Sequence, residues 1–398
     1  MNEGLDDLLA LRERLLVAAT KAGCNAVGVC NRAGLEGGPP STDLTRQLAG
    51  ARSAIVVAFP IDEASIDLYM GKIDHYPYKK DTTRTNEIVN ELLSEMAIQL
   101  RELGYEAENV NPANTIADGQ SDVMPQNEWQ EKAAERNPAT EADIAMRALP
   151  LISQRHLAAA SGVGFFGMSG NILTESHGAT VTLGALITTA DLPPTPVLPP
   201  EVNYCDECNW CGNVCPTRYM SRTEFTTVKM GDHGHHKYAA REHHSRCASH
   251  MMGATGLSRD GKFSSWGPAR KQLPDNDGEL MQKMGELLGD LEKRPPVPSG
   301  YDEGRGMTGK MAAAPLCSAC NLVCHPEKKV RAKRMKMWLQ GGVTVQREDG
   351  TIETMPLDEA RAHLDAMTAE QRALYEDMEE TGTQERTVEV KEPGPSPQ

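Results

Sequence analysis

Apolar residues recur at helical spacing in two stretches of the first hundred residues. Residues 5–22 carry leucines on one helical stripe, and Gly23 follows as a helix stop. A second amphipathic pattern runs over residues 86–104. Short apolar runs at 26–30 and 54–59 predict buried strands. Helices and strands therefore alternate in this part of the chain, which predicts an α/β arrangement.

The alternation continues further along the chain. We expect a second helix at about 147–160, a glycine-rich turn and then a strand at 180–189. Residues 111–141 are polar and have few apolar anchors, which predicts an inserted loop or lid. The run D-L-P-P-T-P-V-L-P-P at 191–200 predicts a stiff linker that closes a first domain over residues 1–190.

Eight of the ten cysteines form one linked pattern. The first run, Y-C-D-E-C-N-W-C-G-N-V-C-P, has the C-x2-C-x2-C-x3-C-P spacing, in which the fourth cysteine ligates the other of two 4Fe-4S clusters. The second run, C-S-A-C-N-L-V-C-H-P, supplies only three cysteines. One thiolate is then missing, and Cys247 is the only other cysteine in this half of the chain. We expect Cys24 and Cys30 to be small buried residues instead.

The count predicts two interlocked ligand sets for two 4Fe-4S clusters. The first set is Cys205, Cys208, Cys211 and Cys324, and the second set is Cys215, Cys247, Cys317 and Cys320. A pair of zinc sites is the alternative, because C-x2-C pairs also bind zinc. The first run disfavours zinc, since it places four cysteines too close together for an ordinary four-thiolate zinc site. A disulfide framework is less favoured still.

These cysteines predict a second domain. We expect a ferredoxin-like two-cluster domain over 201–335 with a long insertion at 216–316. A helical extension at 336–380 and a disordered tail at 381–398 follow, the tail because it is rich in proline and glutamate. Within the extension, residues 357–380 have the pattern of one acidic amphipathic helix.

Charge and targeting signals narrow the functional classes. The formal net charge is −15 and the pI is near 5.3, which argues against a broad nucleic-acid surface. The N-terminus has no secretory signal pattern, and no run approaches the ~20 apolar residues of a membrane span. We expect a cytoplasmic protein that does not enter a membrane, in a reducing compartment where thiolates stay available for metal.

Two further motifs have a functional and a structural interpretation. Residues 162–167 fit G-x-G-x-x-G but follow a helix rather than a strand, which favours a turn over a dinucleotide site. The His-rich segment 233–250 could hold a third metal, with His236 and His243 on one helical face, or could be a polar segment that flanks a cluster. A helix pattern follows near 278–292.

A basic run follows Cys324 in an otherwise acidic chain. Its members are Lys328, Lys329, Arg331, Lys333, Arg334 and Lys336. Such a run is either a solvated helix face or a docking patch for an acidic flavodoxin or ferredoxin that supplies electrons.

The motifs in this order resemble the cobalamin-dependent iron–sulfur reductases, namely epoxyqueuosine reductase and the reductive dehalogenases. The resemblance spans about residues 15–330. It includes A-I-V-V-A-F-P, L-R-E-L-G-Y-E-A, Q-R-H-L-A-A-A-S-G-V-G-F-F-G-M-S-G-N-I-L-T and the eight cysteines. It implies an α+β fold, with a nitroreductase-like α/β N-terminal domain before the ferredoxin-like two-cluster domain. It also implies that Gly164, Gly167, Ser169 and Asn171 lie along a bound cobalamin.

The resemblance implies that a flavodoxin or ferredoxin feeds the two clusters, which reduce the corrinoid that acts on a small organic, for instance halogenated, substrate. The aspartate acid of epoxyqueuosine reductases has no counterpart in Arg147-Ala148-Leu149-Pro150. A dehalogenase-like proton donor could be one of Tyr76, Tyr78, Lys79, Lys80 and Tyr105, which leaves the catalytic residue unassigned. The alternatives are an electron-transfer or reductive-activator protein without its own substrate and, next, tRNA modification.

Overall fold

The computed structural model describes residues 3–110, 152–232, 235–242, 244–251, 253–258, 263–296 and 317–377. The predicted loop or lid at 111–141, the first residues of the helix predicted from 147, and the tail from 381 lie outside these residues.

Helices and strands both contribute substantially, which confirms a mixed α+β chain. The helices are α1 Glu3–Lys21, α2 Arg32–Leu35, α3 Glu63–Met70, α4 Tyr76–Glu102, α5 Gln154–Ala160, α6 Trp210–Asn213, α7 His244–Met251, α8 Asp277–Lys293, α9 Ala319–Leu322, α10 Lys328–Gln340, α11 Leu357–Asp365 and α12 Ala369–Ala373. The strands are β1 Ala26–Asn31, β2 Ser53–Pro60, β3 Ala107–Val110, β4 Phe165–Phe166, β5 Ile172–Leu173, β6 Val181–Thr188, β7 Met220–Lys229, β8 His235–Arg241, β9 Val343–Gln346 and β10 Ile352–Met355.

The first half is built on a four-stranded antiparallel sheet in the order β1-β2-β6-β3. Strand β2 pairs on both sides, with Val57 opposite Val27 on β1 and opposite Gly184 on β6. Its residues are buried along nearly its whole length. A strand covered on both faces needs apolar residues at every position, which explains the unbroken apolar run at 54–59.

Each face of the sheet has its own core. On one face α1 and α4 pack Leu15, Val89 and Leu93 against Val57. On the other, α5 and the loops around it form a second core. Gly184 is required at the first face, because a β-carbon there would stand 2.3 Å from Val89 Cγ1. The apolar spacing of the sequence thus positions the helices that bury this sheet.

The proline-rich segment is tied to the edge of the sheet. The backbone N–H of Thr195 donates to Val29 O at 2.9 Å, and Val29 N–H donates back to Thr195 Oγ1 at 2.9 Å. The Thr195 hydroxyl also donates to Ser161 O at 2.6 Å. The predicted linker therefore runs along β1 and is anchored to it.

The cysteine-bearing half is joined to the first half by an aromatic core. Tyr69 of α3 stacks on Trp338 of α10, with ring centroids 6.0 Å apart, and contacts Trp266 and Tyr78. Val214, beside the first cysteine run, and residues of α9, beside the second run, belong to the same core. The two halves therefore share buried side chains, and the cysteines are held against the first half.

Several element boundaries differ from the predictions. The helix predicted from residue 86 begins ten residues earlier, at Tyr76, because its first turns bury polar side chains that bond locally, such as Thr82, whose hydroxyl donates to Lys79 O at 2.8 Å. The single helix predicted at 357–380 is wrong: α11 ends at Asp365, and Thr368 caps a separate α12 through a capping box. The hairpins β7–β8 and β9–β10 were not predicted.

Candidate functional site

The cysteines of the first run lie on tight turns. Glu207 and Asn209, which flank Cys208, both have left-handed φ angles, near +52° and +59°. Asn209 precedes α6, and Arg218 adds another left-handed residue after the run, with φ near +51°. Non-glycine residues adopt this conformation only where the surrounding structure holds them in it. The closely spaced cysteines of this run therefore lie on a loop with several left-handed residues, and this backbone conformation directs successive sulfurs towards one site.

One group of four thiols lines a pocket of about 340 Å³, measured with its open mouth. Its members are Cys205, Cys208, Cys211 and Cys324. Burial raises the pKa of the Cys324 thiol, and the sulfurs of the other three raise it further. The structure therefore brings the end of the second run to the first three cysteines of the first run.

A second group of four thiols lies deeper. Burial raises the pKa of the Cys247 thiol, and the other sulfurs that raise it are those of Cys317, Cys320 and Cys215. Several neighbours of this group are buried, namely Ser245 and Arg246 beside Cys247, and Ala319 between Cys317 and Cys320. By contrast, Asp206 and Glu207, beside the first group, are exposed. The remote Cys247 is thus placed with the three cysteines that lacked a fourth partner.

The two groups adjoin each other. After burial, which raises the pKa of the Cys211 thiol to about 12, the largest further increase comes from Cys320 of the other group. Electron transfer between redox centres needs short separations, and the electrostatic effect of Cys320 on Cys211 indicates that the two groups are neighbours.

Hydrogen-bond donors point at the sulfurs of both groups. In the first, Met168 N–H lies 3.3 Å from Cys205 Sγ, and Arg331 Nη1 lies 3.7 Å from Cys208 Sγ. In the second, Asn171 Nδ2 lies 3.8 Å from Cys320 Sγ. Donors of this kind stabilise ligating thiolates and tune the potentials of iron–sulfur clusters.

The thiols would have to lose their protons to hold a metal centre. All ten cysteines are free of disulfides. Burial raises the pKa of Cys317 and Cys320 to about 11, so these thiols ionise readily only next to a positive centre such as iron. Within the described ranges, no three His, Cys, Asp or Glu side chains are arranged to hold a single metal ion. Zinc would need four sulfurs about 3.8 Å apart, whereas a cluster separates its thiolates by its own iron and sulfide atoms.

Gly178 brings the first half of the chain into contact with the cysteine-bearing half. Its φ is +61°, and a β-carbon there would stand 2.5 Å from Cys324 O. Tyr204 lies on the same contact, since its hydroxyl donates to Thr174 O at 3.3 Å. The loop after β5 therefore supports the position of Cys324 directly.

The residues expected along a corrinoid contact the chain itself. A β-carbon at Gly164 would stand 2.5 Å from Ile172 Cγ2, and one at Gly167 would stand 2.7 Å from Leu173 Cδ1. Ser169 is buried, and so is Asn171, whose amide is directed at Cys320. Gly167 and Ser169 line the pocket of the first cysteine group, whereas Gly164 and Asn171 do not reach it. The four positions therefore form no continuous open face for a flat macrocycle, the residues present there do not fit cobalamin, and no step is assigned to it. Cobalamin binding itself stays a prediction.

The His-rich segment does not form the predicted helical pair. His236 lies on strand β8, which contradicts a shared helical face with His243, a residue outside those described. His236 instead packs on Phe166, with ring centroids 5.4 Å apart. His250, suggested to flank a cluster, is buried with its Nδ1 2.9 Å from Thr255 O. Of the suggested proton donors, Tyr78 packs on Tyr69 in the aromatic core.

The basic helix α10 divides into two kinds of residue. Arg331 and Arg334 are buried: Arg331 pairs with Asp206 at 2.7 Å, and Arg334 pairs with Glu63 and donates to Leu322 O at 2.9 Å. Lys333 pairs with Asp67. Lys328, which lies 3.6 Å from Asp206, and Lys329 and Lys336 are exposed. The docking interpretation can therefore apply only to the exposed lysines.

Sequence reasoning missed two arginines near the second group. Arg241 Nη2 donates to Ser169 O at 3.1 Å, and Arg155 Nη1 donates to Gly170 O at 3.5 Å. Arg155 follows the start of α5 and Arg241 ends β8, so no sequence spacing joins either to a cysteine.

No helix of the described residues is long and apolar enough to cross a bilayer.

Comparison with known proteins yields only distant likenesses. No protein-family model and no curated protein sequence matches the chain. An epoxyqueuosine reductase structure from Bacillus subtilis is 16% identical over 53% of each chain, with a TM-score of 0.32. One from Streptococcus thermophilus is 16% identical over 55% of this chain and 54% of that chain, also with a TM-score of 0.32.

A reductive dehalogenase, whose structure suggests a mechanism for B12-dependent dehalogenation, is 16% identical over 75% of this chain and 37% of its own, with a TM-score of 0.41. The chain thus spans about half the length of those epoxyqueuosine reductases and just over a third of that dehalogenase. These structure neighbours are reductases, and their similarity to this chain is too low to assign it to a family.

Proposed function

We propose that this chain is an iron–sulfur oxidoreductase that holds two 4Fe-4S clusters and passes single electrons between them. The observation that supports the proposal is the gathering of eight cysteines into two adjoining groups of four. Cys205, Cys208, Cys211 and Cys324 would hold one cluster, and Cys215, Cys247, Cys317 and Cys320 the other. Such clusters, when bound, supply one-electron redox chemistry.

Electrons would enter at the first group and leave from the second. The first group is flanked by exposed residues and lies next to α10, whose exposed lysines would attract an acidic donor such as a flavodoxin or ferredoxin. The second group is surrounded by buried residues, which exclude water and prevent an external electron donor from reaching it directly. The electrostatic effect of Cys320 on Cys211 supports transfer between neighbouring groups.

The proposal extends to the final electron acceptor. A small organic substrate, for instance a halogenated one reduced through a corrinoid, would make the chain a complete reductase. The chain's own residues support the electron route only. An electron-transfer or activator protein without its own substrate is the second candidate, because Gly164, Gly167, Ser169 and Asn171 form no continuous open face for a corrinoid.

Anaerobic reconstitution tests these proposals together. Protein incubated with iron, sulfide and cobalamin, then desalted, should retain about eight irons per chain and show two cluster signals in the EPR spectrum after reduction. Retention of zinc, or of fewer than about four irons, would contradict the two-cluster proposal. Corrinoid in the desalted protein would favour the complete reductase, and iron without corrinoid the electron-transfer protein.

A further inference from the structure

Two arginines near the second cysteine group have no carboxylate partner among the described residues. Arg155 and Arg241 donate to the carbonyls of Gly170 and Ser169, in the turn whose next side chain, Asn171, is directed at Cys320 Sγ. Both guanidinium groups are therefore bound to one turn that lies between the two groups: Ser169 lines the pocket of the first, and Asn171 is directed at the second. Within the described ranges, neither arginine forms an ion pair.

The charges of the arginines act on each other and on the thiols. The positive charge of Arg241 and then burial lower the pKa of Arg155 to about 10, while the sulfurs of Cys320 and Cys247 oppose the shift. Two like charges placed together in a half-buried site need a nearby negative charge. The thiolates of the second group are that charge.

The first group has a different charge balance. The buried Arg331 donates to Cys208 Sγ and is also bound to the Asp206 carboxylate at 2.7 Å. The exposed Lys328 approaches the same carboxylate at 3.6 Å. The positive charge near the first group is thus largely offset, whereas that near the second group is not.

We propose that Arg155 and Arg241 hold the reduction potential of the second cluster above that of the first. Reduction adds a negative charge to a cluster, and an uncompensated cation nearby stabilises the reduced form. The electron from a reduced flavodoxin or ferredoxin is then retained preferentially at the buried cluster. This inference rests on the proposed two-cluster function, and the arginines are positioning residues that act on the potential through their charge.

EPR-monitored redox titration of the reconstituted full-length protein tests the inference. The Cys247→Ala variant identifies the first cluster, because only that cluster should remain. In the wild type, the other cluster should have the higher midpoint potential. Arg241→Gln and Arg155→Gln should each lower the midpoint of the second cluster and leave that of the first unchanged, at full iron content. Arg241→Lys, which keeps the charge, should shift it less.

Arg331→Gln is the matched control, because it should lower the midpoint of the first cluster alone. If the wild-type order is reversed, or both glutamine variants keep the wild-type midpoints at full iron content, the inference is wrong while the two-cluster function stands. If Arg241→Gln fails to assemble, Arg155→Gln decides, since its longer hydrogen bond contributes less to the turn. A wild type without two clusters contradicts the proposed function instead.

Discussion

Gly178 and Cys324 are in direct backbone contact: a β-carbon at position 178 would stand 2.5 Å from the carbonyl oxygen of Cys324. We expect Gly178→Ala to displace Cys324 and lower the iron content of the first cluster. The left-handed φ adds strain of about 1 kcal/mol by itself. Iron analysis and urea unfolding of the reconstituted protein measure both effects.

Gly104→Ala is the matched control for this variant. Gly104 also has a positive φ, +85°, but no atom lies within 4 Å of a β-carbon placed there. It should therefore lose only about 1 kcal/mol of unfolding free energy and keep its full iron content. Equal losses in both variants would show that the contact with Cys324 is unimportant.

Cys247 is the test of the second ligand set. Cys247→Ala should remove one cluster, so that roughly four of roughly eight irons per chain remain and one EPR signal disappears. Cys24→Ala should change neither, because Cys24 is buried in the core between α1, α4 and the sheet. Identical iron contents and spectra for wild type and Cys247→Ala would exclude Cys247 as a ligand.

The basic helix should separate into structural and docking residues. Arg334→Met removes a fully buried guanidinium bound to Leu322 O and Glu63, and we expect it to cost about 2 kcal/mol or more of unfolding free energy. Lys336→Met, on the exposed face, should change it by less than about 0.5 kcal/mol. Urea unfolding of both variants checks this. Comparable losses would contradict the division of the helix.

Exposed lysines on α10 should affect the donor reaction instead. Replacing Lys329 and Lys336 together by Gln should slow reduction by an acidic ferredoxin or flavodoxin, most strongly at low salt, because long-range attraction accelerates encounter. Stopped-flow reduction at two ionic strengths measures it. Lys21→Gln, at the end of α1, is the control and should have no effect. Unchanged rates in the double variant would place the donor site elsewhere.

Acid should destabilise the first half through His156. Burial, and then the nearby positive charges of Arg155, His236 and Arg241, lower its pKa from about 6.5 to about 4. The unfolded chain therefore binds the proton first, and stability is lost as the pH falls from about 6.5 towards 4. His156→Gln should reduce this loss by about 2 kcal/mol at pH 5. Urea unfolding at pH 7.5 and 5.0 measures it, and parallel pH profiles would contradict it.

The cysteine grouping could be inferred from the sequence because ligand spacing is local and the number of thiolates per cluster is fixed. The assignment of Cys247 as a ligand depended only on its being the one cysteine left in that half of the chain. Arg155 and Arg241 could not be inferred, because only the folding of β8 and α5 around one turn brings them together. Hairpin β7–β8 was missed because most of β7 is exposed, so it lacks the alternation that marks a half-buried strand. The sheet was predictable because its strands are buried on both faces.

The anchoring of Thr195 to Val29 and Ser161 has a consequence for the exposed edge of the sheet. Strand β1 is an edge strand, and an uncovered edge offers its N–H and C=O groups to a second molecule. The proline-rich segment occupies that edge, and prolines cannot donate the hydrogen bonds that would extend the sheet. We expect a chain cut before residue 195 to expose this edge and to self-associate, which light scattering would detect.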